Sequence, residues 1–226
     1  MIDVCVTHFG EKYSTKYLDN LEKGIAKHYS GDFNLVVKTD CQYQHWDKIS
    51  FFKTDKERII MDIDMLVAND LDALFDTKME HSLAAFQRWW SPNKTSINGG
   101  FYKIKPGEDL DFIHNKFYKN PDMIVHKYSQ RMKQKWKGEQ TFVNDNLKQI
   151  QYLPNWWLGV YVKDVMHVGQ KCDQEVYNAI YRKTFSRSMI LDRQFGYHVK
   201  LVHFIYSDNL IEKHEQWIQD MWDLSA

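Results

Sequence analysis

The sequence predicts an α/β protein: one domain, with a mixed, mostly parallel sheet flanked by helices. Three observations carry this. The first forty residues read strand, helix, strand, and a strand–helix–strand opening implies parallel pairing with helices on the sheet faces. The run Arg58-Ile59-Ile60-Met61 reads as a buried strand. The chain has 226 residues, 43% of them hydrophobic, which is enough for a real core, and no repeat, low-complexity tract or linker divides it.

The elements follow in order. Ile2 to Thr7 is a short β-rich run. Ser14 to Tyr29 is helical, with Tyr17, Leu18, Leu21, Ile25 and Tyr29 near one face and Ser14 as the expected N-cap. Phe33 to Val37 is the second strand, ending at Thr39-Asp40. Trp46 to Phe52 reads as a helix, and Arg58 to Met61 leads as a strand into Asp62-Ile63-Asp64. Asp70 to Phe75 is a short helix. His81 to Phe86 and Gly100 to Ile104 are two more strands, with Pro92 and Asn98-Gly99-Gly100 marking the loop between them. Helices are expected from Glu108 to Tyr118, from near Gly138 to Leu147, and from Asp173 to Phe185. Tyr152 to Val162 is loop and short strand, Lys200 to Phe204 a late strand, and Asn209 to Trp222 a closing helix.

Composition narrows the function. Lys+Arg is 30 and Asp+Glu is 30, so the basic excess of a dedicated nucleic-acid binder is missing. Only 10 Gly and 4 Pro argue against collagen-like or disordered chains. Cys5, Cys41 and Cys172 are too scattered for a disulfide framework or a paired metal knuckle, so a reducing, cytoplasmic location is expected. The start, MIDVCVTHFGEKYS, lacks the features of a signal peptide, and no apolar run is long enough to span a membrane. The sequon Asn93-Lys94-Thr95 is expected to be idle.

Several motifs are missing: the phosphate loop GxxxxGK[ST], the dinucleotide fingerprint GxGxxG and the hydrolase elbow GxSxG. His214-Glu215 begins like a zinc-protease motif, but Ile218 stands where its second histidine belongs. Asp62-Ile63-Asp64 is the main signal. In a strand, alternate side chains share a face, and the carboxyl end of a strand is where α/β folds bind ligands. Two adjacent carboxylates repel unless a cation lies between them, and hard divalent ions take such oxygens together with phosphate oxygens. The pair therefore reads as a Mn²⁺ or Mg²⁺ site for a diphosphate. The other readings are a solvated acidic turn, or Asp64 capping a helix.

The segment from Trp46-Asp47-Lys48 through Arg58-Ile59-Ile60-Met61-Asp62-Ile63-Asp64-Met65-Leu66-Val67 to Asp70-Leu71 resembles the sugar-nucleotide segment of GT-A glycosyltransferases. It is most similar to the retaining family-eight enzymes, the glycogenin-like and bacterial galactosyltransferase-like group. Ile97 to Ile104 resembles their Asn-Ser-Gly strand, Gly138 to Val143 their Asp-Gln helix start, Tyr152 to Trp157 the segment after it, and Val202-His203-Phe204 their late His-Phe strand. The match runs through most of the chain in the family's order. It implies a Rossmann-like GT-A domain over residues 1–226, with 1–105 as the nucleotide and metal half and 106–226 as the acceptor half with the closing helix.

The resemblance also implies roles. Asp62, Asp64 and His203 would ligate the metal, and a neutral imidazole beside two carboxylates suits Mn²⁺. Asn98 and Gln140 would line the donor-sugar pocket, Gln140 nearest the reacting carbon, with Glu139 beside it as a further catalytic candidate. Thr7 and Tyr13 would sit near the base, with Asp40 another uridine-site candidate. Lys48 matches a family lysine. Each has a plainer reading: a strand-end histidine, a turn asparagine, a first-turn glutamine, a surface tyrosine, an exposed helix lysine. Two departures stand out. Glu139 replaces the family's aspartate, and the family's Gly and Lys-Pro-Trp after His-Phe are replaced by Ile205-Tyr206-Ser207-Asp208-Asn209. Lys213, Arg187 or Arg193 are the candidates for the lost diphosphate lysine.

The resemblance implies a metal-dependent enzyme moving a sugar from a UDP-sugar donor to a hydroxyl of a glycan, lipid or protein, with retention. An inverting enzyme would need a base, Glu139 or Asp173. The alternatives are an inactive sugar-nucleotide binder and a phosphatase with an Asp-x-Asp nucleophile, though that class carries the motif on its first strand.

Overall fold

The computed structural model describes residues 1–88, 96–130, 138–161, 199–204, 210–213 and 216–223. Within them lies a six-stranded sheet in the order β2-β1-β3-β6-β5-β7. Its strands are β1 (Ile2–Thr7), β2 (Phe33–Lys38), β3 (Arg58–Met61), β5 (Leu83–Gln87), β6 (Ile97–Ile104) and β7 (Gln151–Leu153). β1 runs parallel to both β2 and β3, and β5 is parallel to β7. β6 is antiparallel to β3 and to β5, so it alone runs against the rest of this sheet. A second sheet of three strands, in the order β4-β9-β8, comprises β4 (Met65–Val67), β8 (Leu158–Tyr161) and β9 (Leu201–Phe204).

Strand alternation sorts the core into two layers. Val4, Val6, Ile59, Met61, Ala84 and Phe86 face one cluster, which also holds Leu21 and Ile25 of helix α1 (Lys16–His28) and most of the small sheet. Cys5, Ile60, Leu83 and Ala85 face the other. That second layer is built from a 3-10 helix (Gln44–Phe52), α3 (Glu108–Lys119), α4 (Pro121–Gln130) and α5 (Glu139–Asn146). Its rings pack on one another: Trp46 stacks on Phe117 at 5.7 Å, and Phe142 meets Trp46, Phe117 and Tyr128. The short helices α2 (Asp72–Phe75) and α6 (Gln216–Trp222) belong to the first layer.

Several expectations change. The helix expected over Trp46 to Phe52 is present, as a 3-10 helix over Gln44–Phe52. Its three-residue repeat puts the buried Trp46, Ile49 and Phe52 on one stripe, which a 3.6-residue turn would spread. Ser14 does not cap α1: Thr15 is the N-cap and makes no side-chain cap bond. Asn98-Gly99-Gly100 is not a loop. It lies inside β6, where the register with β5 shifts between Ala85 and Gln87. Strand β4 and helix α4 were not expected. Within the expected closing helix, Ile211–Lys213 form a 3-10 turn and Gln216–Trp222 form α6. The expected Asp173–Phe185 helix, Pro92 and the sequon at Asn93 lie outside the described residues. No helix among the described residues is long and apolar enough to cross a membrane.

Candidate functional site

Asp62 and Asp64 sit in the turn between β3 and β4, not in a strand. Their backbones are fixed to different sheets. Asp62 N–H donates to the Gly100 carbonyl of β6 at 2.8 Å, while the Asp64 carbonyl accepts from Phe204 N–H of β9 at 3.0 Å. β9 pairs antiparallel with β4, which puts His203 opposite Met65. The imidazole Nε2 lies 3.3 Å from Asp64 Oδ1 and 3.6 Å from Asp62 Oδ2. One ligand atom from each residue falls within 4.8 Å of the others, so the three could hold a metal ion. The Asn98 amide meets Nδ1 at 3.3 Å, leaving Nε2 to face the carboxylates.

The glycine pair of β6 lets both layers reach this point. A Cβ on Gly100 would lie 2.5 Å from His203 Cε1 and 2.6 Å from Met65 Cε. A Cβ on Gly99 would run into Glu139 Oε1 and lie 3.0 Å from Gln140 Oε1. Gly99 N–H donates to Gln140 Oε1 at 2.8 Å, which ties the first turn of α5 to the strand.

Lys48 is buried and is held on three sides. Its ammonium donates to Asp62 Oδ1 and, at 2.8 Å, to the Gly99 carbonyl, and it pairs with Glu139 Oε1 at 3.4 Å. Tyr102, fully buried, donates to the same Glu139 oxygen at 3.2 Å. Tyr13 donates to Asp64 Oδ2 at 2.8 Å.

These contacts drive the two carboxylates apart in acidity. Burial pushes Asp62 above the usual carboxylate range despite Lys48. Burial also pushes on Asp64, but His203 and the Tyr13 hydroxyl outweigh it and hold its carboxyl below that range. Burial pulls the Lys48 ammonium down, and the charges of Asp62 and Glu139 more than reverse this, so it stays protonated. Burial and the neighbouring Asp64 raise Tyr13, and burial and Glu139 raise Tyr102, so both remain donors.

A cavity of about 270 Å³ opens beside the carboxylates. Thr7, Tyr13, Asp62 and Asp64 line it, and so do Phe9, Lys12 and His45, which sequence reading missed. For Phe9 and Lys12 the loop after β1 was the available signal, since loops at the carboxyl ends of parallel strands form ligand sites in such folds; His45, on the 3-10 helix, had none. Asn98, Glu139 and Gln140 cluster with Lys48 and His203 on the β6 side. Asp40 and Lys213 are not among the lining residues. Asp40 is exposed and pairs with Lys38 at 2.8 Å, which lowers its pKa. Lys213 is exposed on its 3-10 turn. Arg187, Arg193 and Asp173 lie outside the described residues.

No family sequence model matches the chain, and no curated protein sequence does. Solved structures do. The galactosyltransferase LgtC, solved with donor and acceptor sugar analogues, is 11% identical, with a TM-score of 0.61 over 98% of this chain and 95% of that one. The glycosyltransferase GlyE of Streptococcus pneumoniae TIGR4 is 15% identical, with a TM-score of 0.57 over 99% of this chain but 60% of its own. A glycosyltransferase involved in glycosylation of the major capsid of PBCV-1 is 12% identical, with a TM-score of 0.54 over 97% of this chain and 98% of that one. Identity this low speaks to architecture alone. The likeness extends over nearly the whole chain, and the chain has the GT-A glycosyltransferase fold.

Proposed function

We propose that the chain is a metal-dependent glycosyltransferase. It moves a sugar from a nucleoside-diphosphate donor, a UDP-sugar, to a hydroxyl of a glycan, lipid or protein, with retention at the sugar carbon. The observation that carries this is the convergence of Asp62, Asp64 and His203 at the edge of a cavity that Thr7 and Tyr13 also line. The donor set fits a hard divalent ion. Two carboxylates and an imidazole suit Mn²⁺ or Mg²⁺, and Gly100 leaves out the Cβ that would push His203 away. When bound, such an ion supplies charge compensation for the departing diphosphate.

The chain's own groups do the rest. Tyr13 and Thr7 bind the nucleoside side of the donor. Gln140 and Asn98 orient the donor sugar, with Gln140 anchored by Gly99 N–H. Lys48 opposes the effect of burial on Asp62 without overcoming it. Glu139 accepts from Tyr102 and is ion-paired with Lys48, so its carboxylate is already engaged and is a poor candidate base. That favours retention, in which the leaving phosphate takes the acceptor proton. A cytoplasmic, reducing location belongs to the same proposal and rests on the free thiols of Cys5 and Cys41.

Thermal shifts with a panel of nucleotide sugars, with and without Mn²⁺, test it. UDP and UDP-sugars should raise the melting temperature only with the metal, because a ligand that binds only the native state stabilises it. Shifts that ignore Mn²⁺, or none with any nucleotide, would overturn the proposal. Binding without transfer or hydrolysis would leave a nucleotide-sugar binder in its place.

A further inference from the structure

The charges at the metal cluster close among themselves before a donor arrives. A divalent cation offsets the two carboxylates of Asp62 and Asp64. Lys48 and Glu139 offset each other at 3.4 Å. The Lys48 ammonium donates to Asp62 Oδ1 and to the Gly99 carbonyl, and it is ion-paired with Glu139. Lys48 is also only 2% exposed, so turning it toward a ligand would break contacts it cannot replace from water. The phosphates of a bound donor would therefore lack a cationic partner of their own from this cluster, and their charge grows as the sugar leaves.

The cavity wall supplies a cation that the cluster does not. Lys12, on the loop after β1, lines the same cavity as Asp62 and Asp64. Its Nζ lies 3.9 Å from the centroid of the Tyr13 ring and contacts the Tyr13 hydroxyl. That hydroxyl donates to Asp64 Oδ2 at 2.8 Å, so the ammonium sits one side chain away from the metal cluster. Lys12 is exposed, so reorienting its flexible stem toward a ligand costs little desolvation.

We propose that Lys12 is a phosphate-binding residue of the donor site, its ammonium contacting the diphosphate of the nucleotide sugar and offsetting its charge. This rests on the nucleotide-sugar reading above. It places the basic partner of the diphosphate on the first loop of the chain. Lys213, the candidate from sequence, lies outside the cavity lining.

The test is the affinity of UDP and of uridine, each with Mn²⁺, for the parent, Lys12→Ala and Lys12→Arg. In Lys12→Ala, UDP should bind roughly tenfold more weakly, the scale of one charge-assisted hydrogen bond, while uridine is unchanged. Lys12→Arg should keep UDP affinity within about threefold of the parent, because it preserves the charge. Raising ionic strength should weaken UDP binding more in the parent than in Lys12→Ala. Unchanged UDP affinity in Lys12→Ala would overturn the inference alone. Equal losses of UDP and uridine would also overturn it and make Lys12 a support for Tyr13. A parent that binds no UDP with Mn²⁺ would overturn the nucleotide-sugar reading, and this inference with it.

Discussion

On one face of the main sheet the cover is mainly aliphatic and includes a second sheet. On the other it is helical, with Trp46, Phe117, Tyr128 and Phe142 packed ring on ring. The two layers serve the site differently. The first delivers a ligand atom, Nε2 of His203, carried by the small sheet. The second delivers charge and polar support from Lys48, Glu139 and Gln140. They meet through β6, where Gly100 makes room for one and Gly99 for the other. The lesson is that metal affinity and site shape have separate structural owners, and substitutions should separate them.

The largest effect is expected at the shared ligand pair. Asp64→Ala should abolish Mn²⁺-dependent UDP binding with the far-ultraviolet spectrum unchanged, because the residue lies in a turn and not in the core. Titration calorimetry decides this, and parental binding would place the metal elsewhere.

Trp46→Ala probes the second layer. Removing a buried indole stacked on Phe117 should cost about 3–5 kcal/mol in denaturant melts. Mn²⁺ affinity of the folded protein should hold, since no metal ligand comes from that layer. A loss of metal affinity at full folding would break the division of labour.

Gly100→Ala and Gly99→Ala sharpen it. The first forces a methyl against His203 and Met65. It should weaken Mn²⁺ binding about tenfold and cost about 1–3 kcal/mol, the usual range for overpacking. The second meets the ends of Glu139 and Gln140, which can shift, and should leave Mn²⁺ affinity within about threefold while weakening donor-sugar binding. Reversed outcomes would exchange the roles of the two faces.

The smallest effect is Tyr102→Phe. It deletes one hydrogen bond to Glu139 and should cost about 1 kcal/mol of stability, read from the denaturation midpoint. Mn²⁺ affinity should not move.

The sequence made some of this legible and hid the rest for physical reasons. The β1–α1–β2 opening, β3 and α3 have enough length and periodicity to be read. Strand β4 is three residues, too short to show a period, and it exists because β9 pairs with it from far along the chain. Gly99-Gly100 looked like a turn because glycines usually punctuate; here they thin a strand that is packed from both sides. Pro121 marks the start of α4, and proline at a first helical position was a usable signal that went unread. In the site, Asp62 and Asp64 were visible because charges at the end of an apolar run need a reason. Lys48 was visible only by resemblance, since a lone lysine in an apolar run gives no sign of being enclosed. Phe9, Lys12 and His45 sit outside regular strands, where no period marks them, and only the folded arrangement brings them to one cavity.

One consequence follows from the turn between β3 and β4. Asp62 is hydrogen-bonded to the main sheet and Asp64 to the small one. A cation gripped by both would brace the short turn through which the chain passes from the main sheet to the small one. Its presence should then be felt beyond the pocket. Amide hydrogens of β4 and β9 should exchange more slowly once the ion is in place, whereas those of β2, at the edge of the main sheet, should keep their rates.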